Sequence, residues 1–121
     1  MPKVLLVEDD LTIQMANKLL LSELGCQVVV ADTGMLGIER VKSGEEYDIY
    51  FVDLGLPDIL GYEVLSGIRQ EKGEDIPVIA ITGYTGDAQK EKCLEAGATE
   101  VLHKPVLVDG FKEVLKRYKV I

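Results

Sequence analysis

Basic residues are scarce in this chain, and the scarcity excludes one class of function at the outset. Lysine and arginine number 13 against 21 aspartates and glutamates, a formal net charge of −8. Binding to nucleic acid needs a basic footprint that displaces counterions from phosphates, and the balance here runs the other way. Cysteine is scarce too. Cys26 and Cys93 are the only two, they form neither a CxxC pair nor a metal spacing, and each lies in an apolar pattern. Both are read as free thiols, buried or half-buried, of a reducing cytoplasm. No apolar run approaches the ~20 residues of a membrane span. Met1-Pro2-Lys3 leads straight into the strand-like Val4-Leu5-Leu6-Val7, with no sign of a signal peptide. The expectation is a soluble, cytoplasmic protein without membrane insertion. Its 121 residues, 47% of them hydrophobic, are enough for one domain, 1–121, with a real core.

What is present centres on Tyr47-Asp48-Ile49-Tyr50-Phe51-Val52-Asp53-Leu54-Gly55-Leu56-Pro57. Apolar, largely β-branched or aromatic residues end abruptly in one carboxylate, with glycine and proline close behind. Such a run between turn signals reads as a strand buried on both faces of a parallel sheet. Asp53 then stands at its carboxyl end, where open α/β sheets place their ligands. A lone carboxylate there is costly unless a cation or hydrogen-bond donor meets it.

The rest of the chain follows the same alternation. Strands are expected at Val4–Val7, Cys26–Ala31, Ile49–Val52, Val78–Ile81 and Glu100–His103. Between them, Leu11, Met15, Leu19 and Leu20 mark the inner face of a first helix, with Ala16 and Leu24 beside it and Gly25 past its end. Leu36, Ile38 and Val41 mark the second helix, capped within Asp32-Thr33-Gly34. Val64, Leu65 and Ile68 face inward on a third, at about 61–70. A fourth runs from about 87 to 96 and a fifth from about 108 to 118. Five βα units imply a parallel sheet with helices on both faces, and right-handed crossovers leave few topologies. The small one with precedent is the flavodoxin-like, doubly wound (βα)5 three-layer sandwich, order 2-1-3-4-5. Asp9 and Asp53 both end up at the crevice between its first and third strands.

The carboxyl ends of the strands gather Glu8, Asp9 and Asp10, then Asp53, Thr82 and Lys104. Converging carboxylates raise one another's pKa unless something neutralises them. A hard divalent cation does so, and Mg²⁺ typically takes one or two carboxylates while keeping positions for water and phosphate. Lys104 adds a point charge suited to a phosphate oxygen, and Thr82 adds a hydroxyl donor. The set suits a carboxylate that becomes phosphorylated.

Val7-Glu8-Asp9-Asp10, Val52-Asp53 with Pro57 and Gly61, Ile81-Thr82-Gly83 and Lys104-Pro105 resemble the receiver domains of two-component response regulators. Motif order and spacing hold over the whole chain. The resemblance implies that Asp53 is the phosphoacceptor, and that Glu8 and Asp9 bind Mg²⁺ (or Mn²⁺) with Asp53 and the Gly55 carbonyl. It further implies that Thr82 is the switch hydroxyl, Lys104 the phosphate contact, and Pro105 the residue after a cis peptide. Asp10 reads better as a helix cap, and His103 as a strand neighbour rather than a phosphodonor. The implied partners are a sensor histidine kinase or histidine phosphotransfer domain, and a downstream effector at the face of the fourth helix, fifth strand and fifth helix. The domain is then not an enzyme acting on an external substrate. It takes up its own phosphoryl group and loses it.

Departures from the family pattern carry their own expectations. Val101 stands where many receivers have an aromatic ring that rotates with the switch threonine. Leu60 precedes Gly61 where a polar residue is common, and if exposed it suits a partner contact. Gly55 offers no side chain to orient a hydrolytic water, and Tyr84 is expected to shield the acyl phosphate. A stand-alone regulator and a receiver belonging to a hybrid sensor kinase both fit; Thr82-Gly83-Tyr84-Thr85-Gly86-Asp87 and Cys93-Leu94-Glu95-Ala96-Gly97 look more like the latter. A haloacid-dehalogenase-type phosphatase needs a second aspartate where Gly55 stands. A flavin carrier needs a phosphate cradle where Glu8-Asp9-Asp10 stands. A degenerate receiver used only for binding is separated from an active one by phosphorylation itself.

Overall fold

The computed structural model describes residues 1–84 and 86–121; Thr85, within the loop likened above to hybrid-kinase receivers, lies outside the described residues. Strand and helix alternate five times: β1 (Lys3–Val7), α1 (Leu11–Glu23), β2 (Gln27–Ala31), α2 (Gly34–Lys42), β3 (Ile49–Asp53), α3 (Gly61–Lys72), β4 (Val78–Thr82), α4 (Asp87–Glu95), β5 (Glu100–His103) and α5 (Val108–Arg117). All four pairings are parallel, and the sheet order is β2-β1-β3-β4-β5. The flavodoxin-like doubly wound fold is therefore observed.

Side-chain alternation along the three central strands builds two cores. Leu5, Val7, Tyr50, Val52 and Ala80 face α2, α3 and Cys93 of α4. Val4, Leu6, Ile49, Phe51, Ile79 and Ile81 face Leu21 of α1 and Phe111, Val114 and Leu115 of α5. Phe51 and Phe111 meet edge to face with centroids 5.2 Å apart, the geometry that aromatic quadrupoles favour.

Two helix faces differ from expectation. On α1 the buried residues are Gln14, Asn17 and Leu21, while Leu11, Met15 and Leu19 point outward, Met15 with 72% of its surface exposed. The helix is apolar nearly all round, so spacing alone could not select its inner side. What selects it is hydrogen bonding: Gln14 Nε2 donates to the Glu8 carbonyl at 2.6 Å and to Asp32 Oδ1 at 3.1 Å. On α2, Leu36 is exposed and the contact face is Gly34, Gly37 and Val41. A Cβ on Gly37 would lie 2.9 Å from Val7 Cγ2, so close approach to β1 requires glycine there. The expected cap was right, since Thr33 accepts from the Leu36 amide at 3.1 Å.

Tyr50 is buried in the α2–α3 core, and its hydroxyl has no hydrogen-bond partner among the described residues. Burial pushes its pKa up to about 12. An unpaired buried hydroxyl costs about 1–3 kcal/mol of desolvation. Tyr50→Phe is therefore expected to leave stability unchanged or raise it by about 1 kcal/mol, read as the urea midpoint. A loss of that size would mean that the hydroxyl is satisfied.

Candidate functional site

Parallel register places the site residues along one edge of the sheet. The ladder runs one residue beyond β1, where the Glu8 amide donates to the Ala31 carbonyl at 3.1 Å. Asp53 closes β3 opposite Ile81, and Thr82 closes β4 opposite His103. The Lys104 amide donates to the Thr82 carbonyl at 2.8 Å, which fixes the start of the loop after β5.

Glu8, Asp9, Asp53 and Lys104 come together. Asp53 is only 2% exposed and Glu8 1%. Lys104 Nζ lies 2.8 Å from Asp53 Oδ1 and 3.7 Å from Glu8 Oε1. Glu8, Asp9 and Asp53 each present a carboxylate oxygen, all within 4.8 Å of one another. Glu8 Oε2 accepts from the Asp10 amide at 3.3 Å, while the buried Oε1 has no hydrogen-bond partner among the described residues. Asp10 caps α1, accepting from the Ile13 amide at 3.0 Å, the role expected of it.

The electrostatics follow from this crowding. Burial first, then repulsion from Asp53, pushes the Glu8 carboxyl up to about 7. Burial pulls Lys104 down, but its hydrogen bond to Asp53 and the charges of Asp53, Glu8 and Asp9 outweigh that and raise it overall. One lysine thus answers three acids. An orphaned, buried carboxylate oxygen beside two further carboxylates fits a hard divalent cation bound through oxygen.

A pH dependence results. A folded-state carboxyl raised above its unfolded value of 4.5 costs the fold nothing below that value. It costs progressively more as pH climbs through 7, where the unfolded chain has ionised and the native one resists. In EDTA the melting temperature is expected to fall between pH 5 and pH 8. Added Mg²⁺, which favours the ionised form, is expected to stabilise the protein more at pH 8 than at pH 5.5. A Mg²⁺ response independent of pH would contradict a role for Glu8 in holding the cation.

Thr82 is buried, and its Oγ1 accepts from the Tyr84 amide at 3.1 Å. The cleft in front, of about 660 Å³, is bordered by Asp53, Gly55, Tyr62, Thr82, Tyr84 and Lys104. A Cβ on Gly55 would stand 3.6 Å from Asp53 Oδ2, so any side chain there would begin against the carboxylate. Tyr84 borders the cleft but is 71% exposed, so in this conformation its ring covers little. The Lys104–Pro105 peptide is cis. Val101 is half-buried opposite Ala80 of β4, His103 is exposed at the end of β5, and Leu60 is 63% exposed. Both cysteines are free and buried, and burial raises both thiols.

Sequence reasoning missed Gln14, which ties Glu8 to Asp32, and the far wall of the cleft, where Gln89 and Lys92 of α4 meet Tyr62 of α3. Gln89 and Lys92 sit three residues apart, a same-face spacing that marks a pair but not what it faces.

The sequence profile of the response regulator receiver domain matches residues 4–116. The chain belongs to that family. Among curated relatives it is 35% identical to hybrid signal transduction histidine kinase L of Dictyostelium discoideum, over 96% of this chain. It is 36% identical to the cell cycle response regulator CtrA of Brucella ovis, over 97%. It spans 7% of the first protein and about half, 51%, of the second. Among solved structures, the receiver domain of sensor histidine kinase PA1611 from Pseudomonas aeruginosa superposes with TM-score 0.88 at 30% identity, covering 97% of this chain and 96% of that one. That receiver carries a magnesium ion coordinated in its active site cleft. A CheY-like receiver domain protein from Methanospirillum hungatei gives TM-score 0.89 at 28% identity, covering 99% and 94%. No helix of the described residues is long and apolar enough to cross a membrane.

Proposed function

We propose that residues 1–121 act as one phosphoacceptor receiver, taking a phosphoryl group from a phosphohistidine onto Asp53. The observation that carries this is the buried Asp53 carboxylate held 2.8 Å from Lys104 within a three-carboxylate cluster. In the transfer, an Asp53 oxygen attacks phosphorus and the P–N bond of the donor breaks, leaving its electron pair on the imidazole nitrogen. Lys104 meets one phosphoryl oxygen and the Thr82 hydroxyl another, so charge is stabilised by groups already in place. Glu8, Asp9 and Asp53, with the Gly55 carbonyl, would hold Mg²⁺ or Mn²⁺, which when bound supplies positive charge to the phosphoryl oxygens. Hydrolysis reverses the state: water attacks phosphorus, the Asp53 O–P bond breaks, and the carboxylate and inorganic phosphate are released. For Tyr84 to shield that bond, its exposed ring must fold over the cleft.

The donor is a sensor histidine kinase or a histidine phosphotransfer domain. The outward stripe of Leu11, Met15 and Leu19 on α1 is the kind of exposed apolar surface that marks a protein contact. Output passes to an effector at the α4–β5–α5 face through a shift between two populations. The context of a larger hybrid kinase has a counterpart in histidine kinase L, while CtrA is a response regulator about twice as long as this chain; a stand-alone regulator is the other context. The test is intact mass after incubation with acetyl phosphate. A gain of one phosphoryl group that requires Mg²⁺ supports the proposal, and no gain with acetyl phosphate or phosphoramidate overturns it.

A further inference from the structure

The two ends of α4 are held very differently. Its fully buried residue is Cys93, and its N-cap position is Gly86, which has no side chain to make a cap hydrogen bond. Beyond its last turn, however, α3 grips the chain. Ser66 Oγ donates to the Ala96 carbonyl at 3.1 Å, and Arg69 donates to the Gly97 carbonyl through Nε at 3.0 Å and Nη2 at 2.7 Å. Arg69 also reaches Thr99 Oγ1 at 3.1 Å. At the other end, among the described residues, one side-chain hydrogen bond joins the two helices, from Gln89 Nε2 to the Tyr62 hydroxyl, with Lys92 Nζ 6.0 Å from the centre of the same ring. Tyr62, Ser66 and Arg69 recur at helical spacing along one rail of α3. The rail itself packs closely on α2: a Cβ on Gly34 would lie 3.1 Å from Val64 Cγ2, and one on Gly67 2.5 Å from Ile38 Cδ1.

We infer that α4 is a lever pivoting on the Ser66–Arg69 clasp, and that Tyr62–Gln89 is the latch holding its N-terminal end against α3. The inference rests on Asp53 being the phosphoacceptor for its trigger, but not for the latch itself. Thr82 Oγ1 accepts the Tyr84 amide, so a hydroxyl drawn toward a phosphoryl oxygen pulls on the backbone that leads into α4. The end of the helix nearest that pull is the weakly held one. With Val101 in place of an aromatic ring, the readout is the latched end of α4 rather than a rotation on β5. Tyr62, Gln89 and Lys92 also border the cleft in front of Asp53, so an open latch changes the wall past which a donor approaches.

The test is amide hydrogen exchange on the unphosphorylated chain, with Tyr62→Phe and Gln89→Ala singly and together. One neutral hydrogen bond is worth roughly a fivefold change in an opening equilibrium. Either variant is expected to speed exchange about fivefold across 90–93, with protection at 97–99 unchanged. The double variant should add little, because both changes remove the same contact. Phosphorylation by acetyl phosphate is expected to rise by a similar factor if the open lever is the reactive form. Unchanged exchange at 90–93, or faster exchange spread evenly through α3 and α4, overturns the latch. So does phosphorylation that proceeds at the parent rate in a chain whose α4 has opened. A chain that takes up no phosphoryl group yet shows the local exchange change would instead sink the phosphoacceptor reading and leave the latch standing.

Discussion

Asp53→Asn will leave a folded chain that takes up no phosphoryl group from acetyl phosphate under any Mg²⁺ concentration. The amide oxygen carries no charge and cannot form a stable acyl phosphate, so the loss should resemble that of a removed nucleophile, roughly 10⁴-fold or more. Folding should survive because the change removes a charge from a crowded site. Lys104 then retains Glu8, whose Oε1 is 3.7 Å away. With the Asp53 repulsion gone, the Glu8 carboxyl is expected to move back toward its ordinary range, since that repulsion ranks behind only burial in raising it. The pH dependence of stability in EDTA should therefore flatten in the variant, and the Mg²⁺ response should shrink. Thermal melts between pH 5 and pH 8 check the second half of the prediction independently of any phosphorylation assay. A variant that still gains a phosphoryl group would place the acceptor elsewhere.

The largest effect on stability alone is expected far from the cleft, at Arg69. Its guanidinium donates to the Gly97 carbonyl twice, to Thr99 Oγ1, and through Nη1 to the Gly73 and Ile76 carbonyls at 2.8 Å each. It thereby closes α3, the loop into β4 and the loop into β5 with one side chain. Gly97 has φ +116 and would set a Cβ 3.1 Å from Arg69 Cβ, so glycine is required at the contact. Hydrogen bonds from a charged donor contribute about 1.5–3 kcal/mol each, and they are not additive here. Arg69→Ala is expected to cost about 3 kcal/mol. Arg69→Lys should recover less than half of that, because an ammonium lacks the planar fork. Urea denaturation measures both, and a loss below about 1 kcal/mol for alanine would show that water replaces the clasp at little cost.

The legibility of this chain varied with how each element is stabilised. The central strands β1, β3 and β4 could be read directly, because strands buried on both faces must be apolar at every position. Asp53 and Thr82 stood out by interrupting such runs, and the parallel register then carried Lys104 to them. α3 was readable for a similar reason, since Val64, Leu65 and Ile68 form a clear inner stripe. α1 was not: with apolar residues all round, its orientation is set by where Gln14 finds hydrogen-bond partners, a tertiary fact. α2 hid its face because glycine carries no hydrophobic signal, although Gly34 and Gly37 are the surface that packs. The lever contacts were invisible for a third reason. Tyr62 and Gln89 are 27 residues apart, and nothing local in either segment announces the other.

The most direct test of the account is to trap the phosphorylated chain with borohydride, which reduces an aspartyl phosphate to homoserine, and to map the modified peptide. The account predicts homoserine at position 53 alone, formed only when Mg²⁺ was present during phosphorylation. Homoserine at Asp9, 5-hydroxynorvaline at Glu8, or a phosphoryl group that resists reduction would contradict it.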